Sequence, residues 1–176
     1  LGVTTNIVTG ELHDTLTGGD GTVTYGFNAV SGQVSLVGGA NLTSEGQPVL
    51  FAMNGGVLYG YVNVAGAGFD PAVDRSVFKV ELNSSTGEFK FTLLDNIDHH
   101  AINAADDVEG TVSINLNGVF KATDSDSDTH TLNNVSVAVI DDVPVANAAA
   151  STLTINVDEL GVSNVVAKWT NVDMSG

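Results

Sequence analysis

Three aspartates stand at every second position in the stretch TDSDSDTHT, residues 123–131. On a strand, Asp124, Asp126 and Asp128 would point to one face, and no lysine or arginine lies among them. Carboxylates held within ~5 Å of one another repel unless a divalent cation sits between them. The stretch lacks the glycine and the glutamate of an EF-hand loop. It predicts a calcium site of another kind, and the alternative is a solvated turn with splayed side chains.

A second acidic region follows residue 92. In LLDNIDHH (93–100) and NAADDVEG (103–110), five carboxylates could share a calcium ion with backbone carbonyls: Asp95, Asp98, Asp106, Asp107 and Glu109. The adjacent His99 and His100 are interpreted as a surface imidazole and a structural hydrogen-bonding residue, because no third nitrogen ligand has suitable spacing. Asp20, between glycines, could bind calcium or simply belong to a hairpin turn. The predicted metal ligands also include Asp141 and Asp142.

The charge balance narrows the classes of partner. The chain has 21 acidic and five basic residues and a net charge of −16, which argues against nucleic acid and anionic membranes. Such a charge fits either a salt-adapted surface or sites for hard cations, and the crowding of ten carboxylates between Asp95 and Asp142 favours the cations.

There is no cysteine, so disulfides and zinc–thiolate sites are excluded, and calcium could replace disulfides in stabilising the fold. No apolar run approaches the ~18 residues of a membrane span, and we expect the chain to be a fragment of a longer protein.

The hydrophobic pattern is that of strands. VFKVEL (77–82) and FKFTLL (89–94) alternate and flank the turn NSSTGE, which predicts a hairpin. Residues 110–123 and 130–140 predict a second, long hairpin around the three aspartates. We therefore predict an all-β, calcium-stabilised antiparallel β-sandwich with long Asp/Gly-rich loops. The boundary is expected near Pro144, so that residues 1–146 form the module and 147–176 form a linker with an added strand or the start of another module.

The segment 38–74 is rich in glycine and aromatic residues. Its aromatics could belong to the strand core, or they could bind a ligand, with Tyr59 and Tyr61 packing against it and Gly55 and Gly56 donating backbone N–H groups. The chain has no GxSxG, HExxH or phosphate-loop motif, and we do not expect an enzyme.

Several motifs in this order resemble a known family. GGDGTVTYGF, VFKVELNSSTGEFKFTLLDNIDHH, FKATDSDSDT and VSVAVIDDVPVA are similar to the type I secretion target repeat of giant RTX adhesins, from about Asn6 to Ala146. One departure is Ser127, where the repeat usually has glycine.

The resemblance implies export without a signal peptide, calcium-driven folding outside the cell, and adhesion at the bacterial cell surface. Some modules of this kind bind the free C-terminus of a partner with the help of calcium. We therefore expect a calcium-dependent module that binds a peptide or protein terminus, or a glycan, on a target cell, beside neighbouring adhesin modules. The alternatives are a structural spacer of the adhesin stalk and a carbohydrate-binding module.

Overall fold

A computed structural model describes residues 7–12, 21–64, 66, 68–99 and 111–140. Within these residues there is no helix, and hence none that is long and apolar enough to cross a membrane. The described residues form thirteen strands, β1 to β13 in chain order: Ile7–Glu11, Thr24–Phe27, Gly32–Gln33, Thr43–Ser44, Gln47–Pro48, Leu50–Asn54, Val57–Val62, Arg75–Leu82, Glu88–Leu93, Thr111–Asn115, Phe120–Thr123, Thr129–Thr131 and Ser136–Ile140. The predicted all-β class is confirmed.

The largest sheet has six strands in the order β1-β9-β8-β7-β6-β3. Its pairings are antiparallel, and the predicted hairpin is confirmed as β8 and β9, with Leu82 opposite Phe89. A three-stranded sheet, β12-β11-β2, carries the aspartate stretch, and two further ladders join β10 to β13 and β4 to β5. The architecture is therefore a β-sandwich-like arrangement of several antiparallel sheets.

The predicted second long hairpin is found as two shorter ladders. Strand β10 pairs with β13, whereas β11 pairs with β12 and β2. At the break, the Asn117 side chain accepts a hydrogen bond from the backbone N–H of Val135 at 2.9 Å, and Asn134 has a left-handed φ of 62°. A side-chain acceptor and a left-handed residue both interrupt a regular ladder, so the chain changes sheet at this point.

Phenylalanine rings join the two main sheets. Phe120 of β11 lies 5.3 Å from Phe89 of β9 and 5.4 Å from Phe27 of β2, measured between ring centroids. Phe78 of β8 stacks on Phe91 of β9 at 5.1 Å, and both are buried. Burying an aromatic side chain stabilises a fold by about 3–5 kcal/mol against its truncation to alanine. These rings fix the sheet that carries the three aspartates against the larger sheet.

Gly60 is the cross-strand partner of Phe78, and the Phe78 ring lies directly over it. A Cβ atom on Gly60 would lie 2.1 Å from the Phe78 Cε1 atom, which is a severe clash inside the core. We therefore expect Gly60→Ala to lower the free energy of unfolding by about 1–3 kcal/mol, the usual cost of overpacking.

The matched control is Gly26→Ala on β2, where the nearest atom to the new Cβ would be Cε of the flexible Lys121 side chain at 3.3 Å. It should change stability by less than about 0.5 kcal/mol, as measured by urea unfolding. If the two variants unfold at the same urea midpoint, the Phe78 ring does not pack directly over Gly60.

Candidate metal centre

The three aspartates lie in the turn between β11 and β12. Thr123 and Thr129 are the last paired residues, and their hydroxyl oxygens are 3.3 Å apart. Beyond them the backbone N–H of Asp124 donates to the carbonyl of Asp128 at 3.1 Å, and the N–H of Asp128 donates to Oδ1 of Asp124 at 2.9 Å. The turn is therefore closed by its own first and last aspartates.

This closed turn brings the three carboxylates together. One oxygen from each of Asp124, Asp126 and Asp128 lies within 4.8 Å of the others. The sequence predicted these aspartates in the loop of a hairpin, and the structure places them in the turn between β11 and β12. Two ligands of one calcium ion lie at most about 5 Å apart, because each Ca–O distance is 2.3–2.6 Å. The spacing fits a single calcium ion.

Asp124 and Asp126 change each other's pKa. Their largest interaction is a side-chain hydrogen bond between Asp124 and Asp126, which lowers the pKa of Asp124 and raises the pKa of Asp126. The negative charge of Asp124 raises the pKa of Asp126 further. A proton shared between two carboxylates relieves the same repulsion that a divalent cation would relieve. Protons and calcium should therefore compete for this turn as the pH falls.

Calcium needs six to eight oxygen ligands, more than three monodentate carboxylates supply. Bidentate carboxylates, backbone carbonyls and water are the remaining sources in such sites. Close to the turn, a Cβ atom on Gly21 would lie 2.5 Å from Oγ of Ser125, so the chain entering β2 is packed against the aspartates. Asp20 directly precedes Gly21 but lies outside the described residues, and its role as a ligand stays a prediction.

The structure places Asp95 and Asp98 in a different environment. Asp95 forms an ion pair with Arg75, whose guanidinium also donates to the hydroxyl and the carbonyl of Ser44. Asp98 accepts hydrogen bonds from the backbone N–H groups of Glu45 and Gly46, both at 2.8 Å. Both carboxylates thus bind groups of the protein around the turn between β4 and β5.

The hydrogen bonds lower the pKa of Asp98. The largest cause is the side chain of Thr43, followed by the two backbone N–H groups, and the positive charge of Arg75 adds to them against the effect of burial. A carboxyl group with a lowered folded-state pKa stabilises the fold above its unfolded pKa and loses that contribution as the pH falls through the folded value. At neutral pH the Asp98 carboxylate is therefore ionised, and its hydrogen bonds stabilise the turn between β4 and β5.

Within the described part of the chain, the aspartate turn is the one group of three possible metal ligands. The prediction that Asp95 and Asp98 share an ion involves partners that lie outside that part. The same holds for the remaining predicted ligands: Asp106, Asp107, Glu109, Asp141 and Asp142. The assignment of these residues to calcium stays a prediction.

The predicted ligand-binding residues lie on β7 and at its start. Gly55 and Gly56 have φ of 59° and 81° and form the two-residue turn between β6 and β7, a conformation that glycine adopts without strain. The Phe69 ring lies 4.9 Å from the ring of Tyr59 and 4.8 Å from that of Tyr61. Tyr61 is only 5% exposed, whereas Tyr59 is half-buried. The two tyrosines are packed against a ring of their own chain.

Two polar clusters were not predicted from the sequence. The first is the network of Arg75 with Ser44 and Asp95. The second is Asp74, a buried carboxylate that accepts backbone hydrogen bonds from Val64 and Asp70, each at 2.7 Å. Asp74 thereby holds the segment that carries Phe69. Arg75 is one of only five basic residues, so the sequence suggests that it has an acidic partner. The sequence does not show that its partners Asp95 and Ser44 lie 20 and 31 positions away.

Comparison with known proteins gives a family. A family model described as a domain of unknown function, DUF5801, matches residues 3–135, and the chain belongs to this family. No curated protein and no solved structure matches the chain.

Ser127 occupies the aspartate turn with a left-handed φ of 76°. A residue with a Cβ atom pays about 1–2 kcal/mol for this conformation, and glycine does not, although glycine has more freedom to lose on folding. We therefore expect Ser127→Gly to raise the free energy of unfolding by about 0.5–1 kcal/mol, measured by urea unfolding.

The control is Ser127→Ala, which removes the hydroxyl and keeps the Cβ atom. It should give no gain. Equal stabilisation by alanine and glycine would show that the backbone conformation of this turn is not the cause.

Proposed function

We propose that this DUF5801 domain is a calcium-dependent ligand-binding module of a large secreted bacterial adhesin, and that its ligand is the free C-terminus of a peptide or protein on a target cell surface. The observation that supports the proposal best is the convergence of Asp124, Asp126 and Asp128 within 4.8 Å in an exposed turn. Calcium in such a turn would be reachable from solvent. The resemblance of the sequence motifs to RTX adhesin repeats supports the assignment to a large secreted adhesin.

The charge of the chain explains why calcium would be needed. A chain with a net charge of −16 repels an anionic peptide end at long range, so attraction requires a local positive centre. Of the five basic residues, Arg75 is engaged with Asp95, and Lys79 lies 3.0 Å from Glu81. A calcium ion with an open coordination position would supply the positive centre and bind a carboxylate directly.

The topology supports a site at one end of the larger sheet. Leu58 lies opposite Val80, so the Gly55–Gly56 turn falls at the end where β8 runs into residues 83–87. At the same end the backbone N–H of Tyr25 donates to the carbonyl of Ser84 at 2.8 Å, and the neighbouring Thr24 pairs with Thr123, which precedes the aspartates. The aspartate turn and the glycine turn therefore project from the same end, where backbone N–H groups could add hydrogen bonds to a bound terminus.

A spacer module of the adhesin stalk is the second candidate function. The packing of Phe69 on Tyr59 and Tyr61 favours it, because these aromatic rings already have partners within the domain. In a spacer, calcium would stiffen the turn, and no ligand would bind to it.

The first test concerns the metal. Calcium in thousandfold excess over its Kd should add about 4 kcal/mol to the free energy of unfolding if it binds only the folded state. Asp126→Ala should remove most of this gain, because Asp126 offers one of the three converging oxygens. The measurement is thermal unfolding with calcium and with EGTA, alongside calorimetric titration.

The control variant is Glu45→Ala, which removes an exposed carboxylate outside the turn. If Asp126→Ala and Glu45→Ala keep the same calcium affinity and stoichiometry, the turn is not a calcium site.

The second test concerns the ligand. A library of peptides with free C-termini and the same library with amidated C-termini are offered with calcium and with EGTA. The proposal predicts binding that needs both the free carboxylate and calcium, since the metal is the positive centre. Equal binding of the free and amidated forms would exclude carboxylate capture, and the absence of any binding would favour the spacer.

A further inference from the structure

Asparagine precedes glycine twice in the sequence, at Asn54–Gly55 and at Asn117–Gly118. In such a pair the backbone nitrogen of the glycine can attack the side-chain amide of the asparagine, because glycine carries no side chain that would hinder the approach. The attack needs a glycine N–H that is free of a hydrogen bond and an asparagine side chain that can rotate towards it. The structure places the two pairs in opposite environments.

The Asn117–Gly118 pair lies in the turn between β10 and β11, where both reacting groups are held. The backbone N–H of Gly118 donates to the carbonyl of Leu132 at 3.1 Å. The side-chain oxygen of Asn117 accepts the backbone N–H of Val135 at 2.9 Å. Both hydrogen bonds would have to break before the Gly118 nitrogen could reach the Asn117 side chain, so the fold protects this asparagine.

The Asn54–Gly55 pair lies at the tip of the β6–β7 hairpin, where neither reacting group is held. Asn54 pairs with Val57 at the end of the ladder, and its side chain is exposed. Among the residues that the structure describes, no hydrogen bond involves the Asn54 side chain or the backbone N–H of Gly55. Gly55 is also exposed, and a Cβ atom at this position would meet no atom within 4 Å. The nitrogen and the amide are therefore both free to react.

We propose that Asn54 is a site of spontaneous deamidation, a covalent modification that converts this residue to aspartate and isoaspartate, whereas Asn117 is protected by the fold. The Gly55 nitrogen loses its proton to solvent base and forms a bond to Cγ of Asn54. The bond between Cγ and the side-chain nitrogen breaks, and ammonia leaves with protons taken from water. The product is a cyclic imide that joins Asn54 to the nitrogen of Gly55.

Water then opens the imide at either of its carbonyl groups. Hydrolysis at Cγ gives aspartate. Hydrolysis at the backbone carbonyl gives isoaspartate, in which the main chain runs through the former side chain. The whole reaction consumes water and releases ammonia, and nothing is oxidised or reduced. Both products carry a carboxylate in place of the amide.

The modification would alter the hairpin in two ways. Isoaspartate adds a methylene group to the main chain beside a two-residue turn, whose length sets the register between β6 and β7. Either product adds a negative charge to a chain whose net charge is already −16. In the function proposed above, backbone N–H groups of this turn contribute to binding an anionic terminus, and a carboxylate at position 54 would repel that terminus. The modification itself does not rest on that function.

The test follows both asparagines in the folded full chain at mildly alkaline pH, with calcium present and with circular dichroism confirming that the fold persists. Samples are digested at acidic pH, where the attack is slow. Mass spectrometry of the peptides distinguishes amide from acid, and methylation by an isoaspartyl methyltransferase labels the isoaspartate. Asn54 should be modified at least about tenfold faster than Asn117, because two hydrogen bonds must open before Asn117 can react.

Two controls separate the effect of the structure from that of the sequence. In urea, where the hydrogen bonds of the fold are lost, the rates at Asn54 and Asn117 should agree within about threefold. The variant Asn54→Gln keeps an amide but lengthens the side chain, which disfavours closure of the imide. It should remove most of the isoaspartate that forms in the folded chain.

Three results would overturn the proposal. They are equal rates at Asn54 and Asn117 in the folded chain, a faster reaction at Asn117, and an Asn54 that stays unmodified while the chain in urea is fully converted. The test measures neither ligand binding nor calcium affinity. Its failure would therefore leave the calcium-dependent function untouched, and failure of that function would leave Asn54 as a site of modification.

Discussion

Mutual repulsion among carboxylates is the constraint that the rest of this structure must satisfy. The chain carries 21 acidic and five basic residues, so ion pairs within the protein can neutralise only a minority of its carboxylates. Other acidic groups that are brought together or buried need backbone N–H groups, a shared proton or a bound cation. Asp74 and Asp98 use backbone N–H groups, whereas three carboxylates converge in the aspartate turn.

Backbone N–H groups hold the structural carboxylates. Asp74 is buried and accepts two such bonds, and it thereby holds the segment that brings Phe69 onto the two tyrosines. Asp98 accepts two from the turn between β4 and β5, beside the Arg75–Asp95 ion pair. In the aspartate turn, Oδ1 of Asp124 accepts the N–H of Asp128, and yet one carboxylate oxygen from each of the three aspartates lies within 4.8 Å of the others. This convergence distinguishes the candidate metal ligands from Asp74 and Asp98, which bind backbone N–H groups of the protein.

The sequence was sufficient for those elements whose pattern is local. The β8–β9 hairpin was predicted because hydrophobic alternation on both sides of NSSTGE sets the faces and the turn. The aspartate turn was predicted because its three carboxylates are close in sequence, and the left-handed φ of Ser127 lies where the similar repeats have glycine. Contacts between distant residues were not predictable. Asp98 meets Gly46 across 52 positions, and the change of sheet after β10 depends on the side chain of Asn117.

Crystals grown with calcium test the central claim most directly, because anomalous scattering locates the ion itself. The account predicts an anomalous peak in the turn between β11 and β12, about 2.3–2.6 Å from carboxylate oxygens of Asp124, Asp126 and Asp128. Peaks at other positions with none in this turn would contradict it, as would a turn that holds only water at saturating calcium.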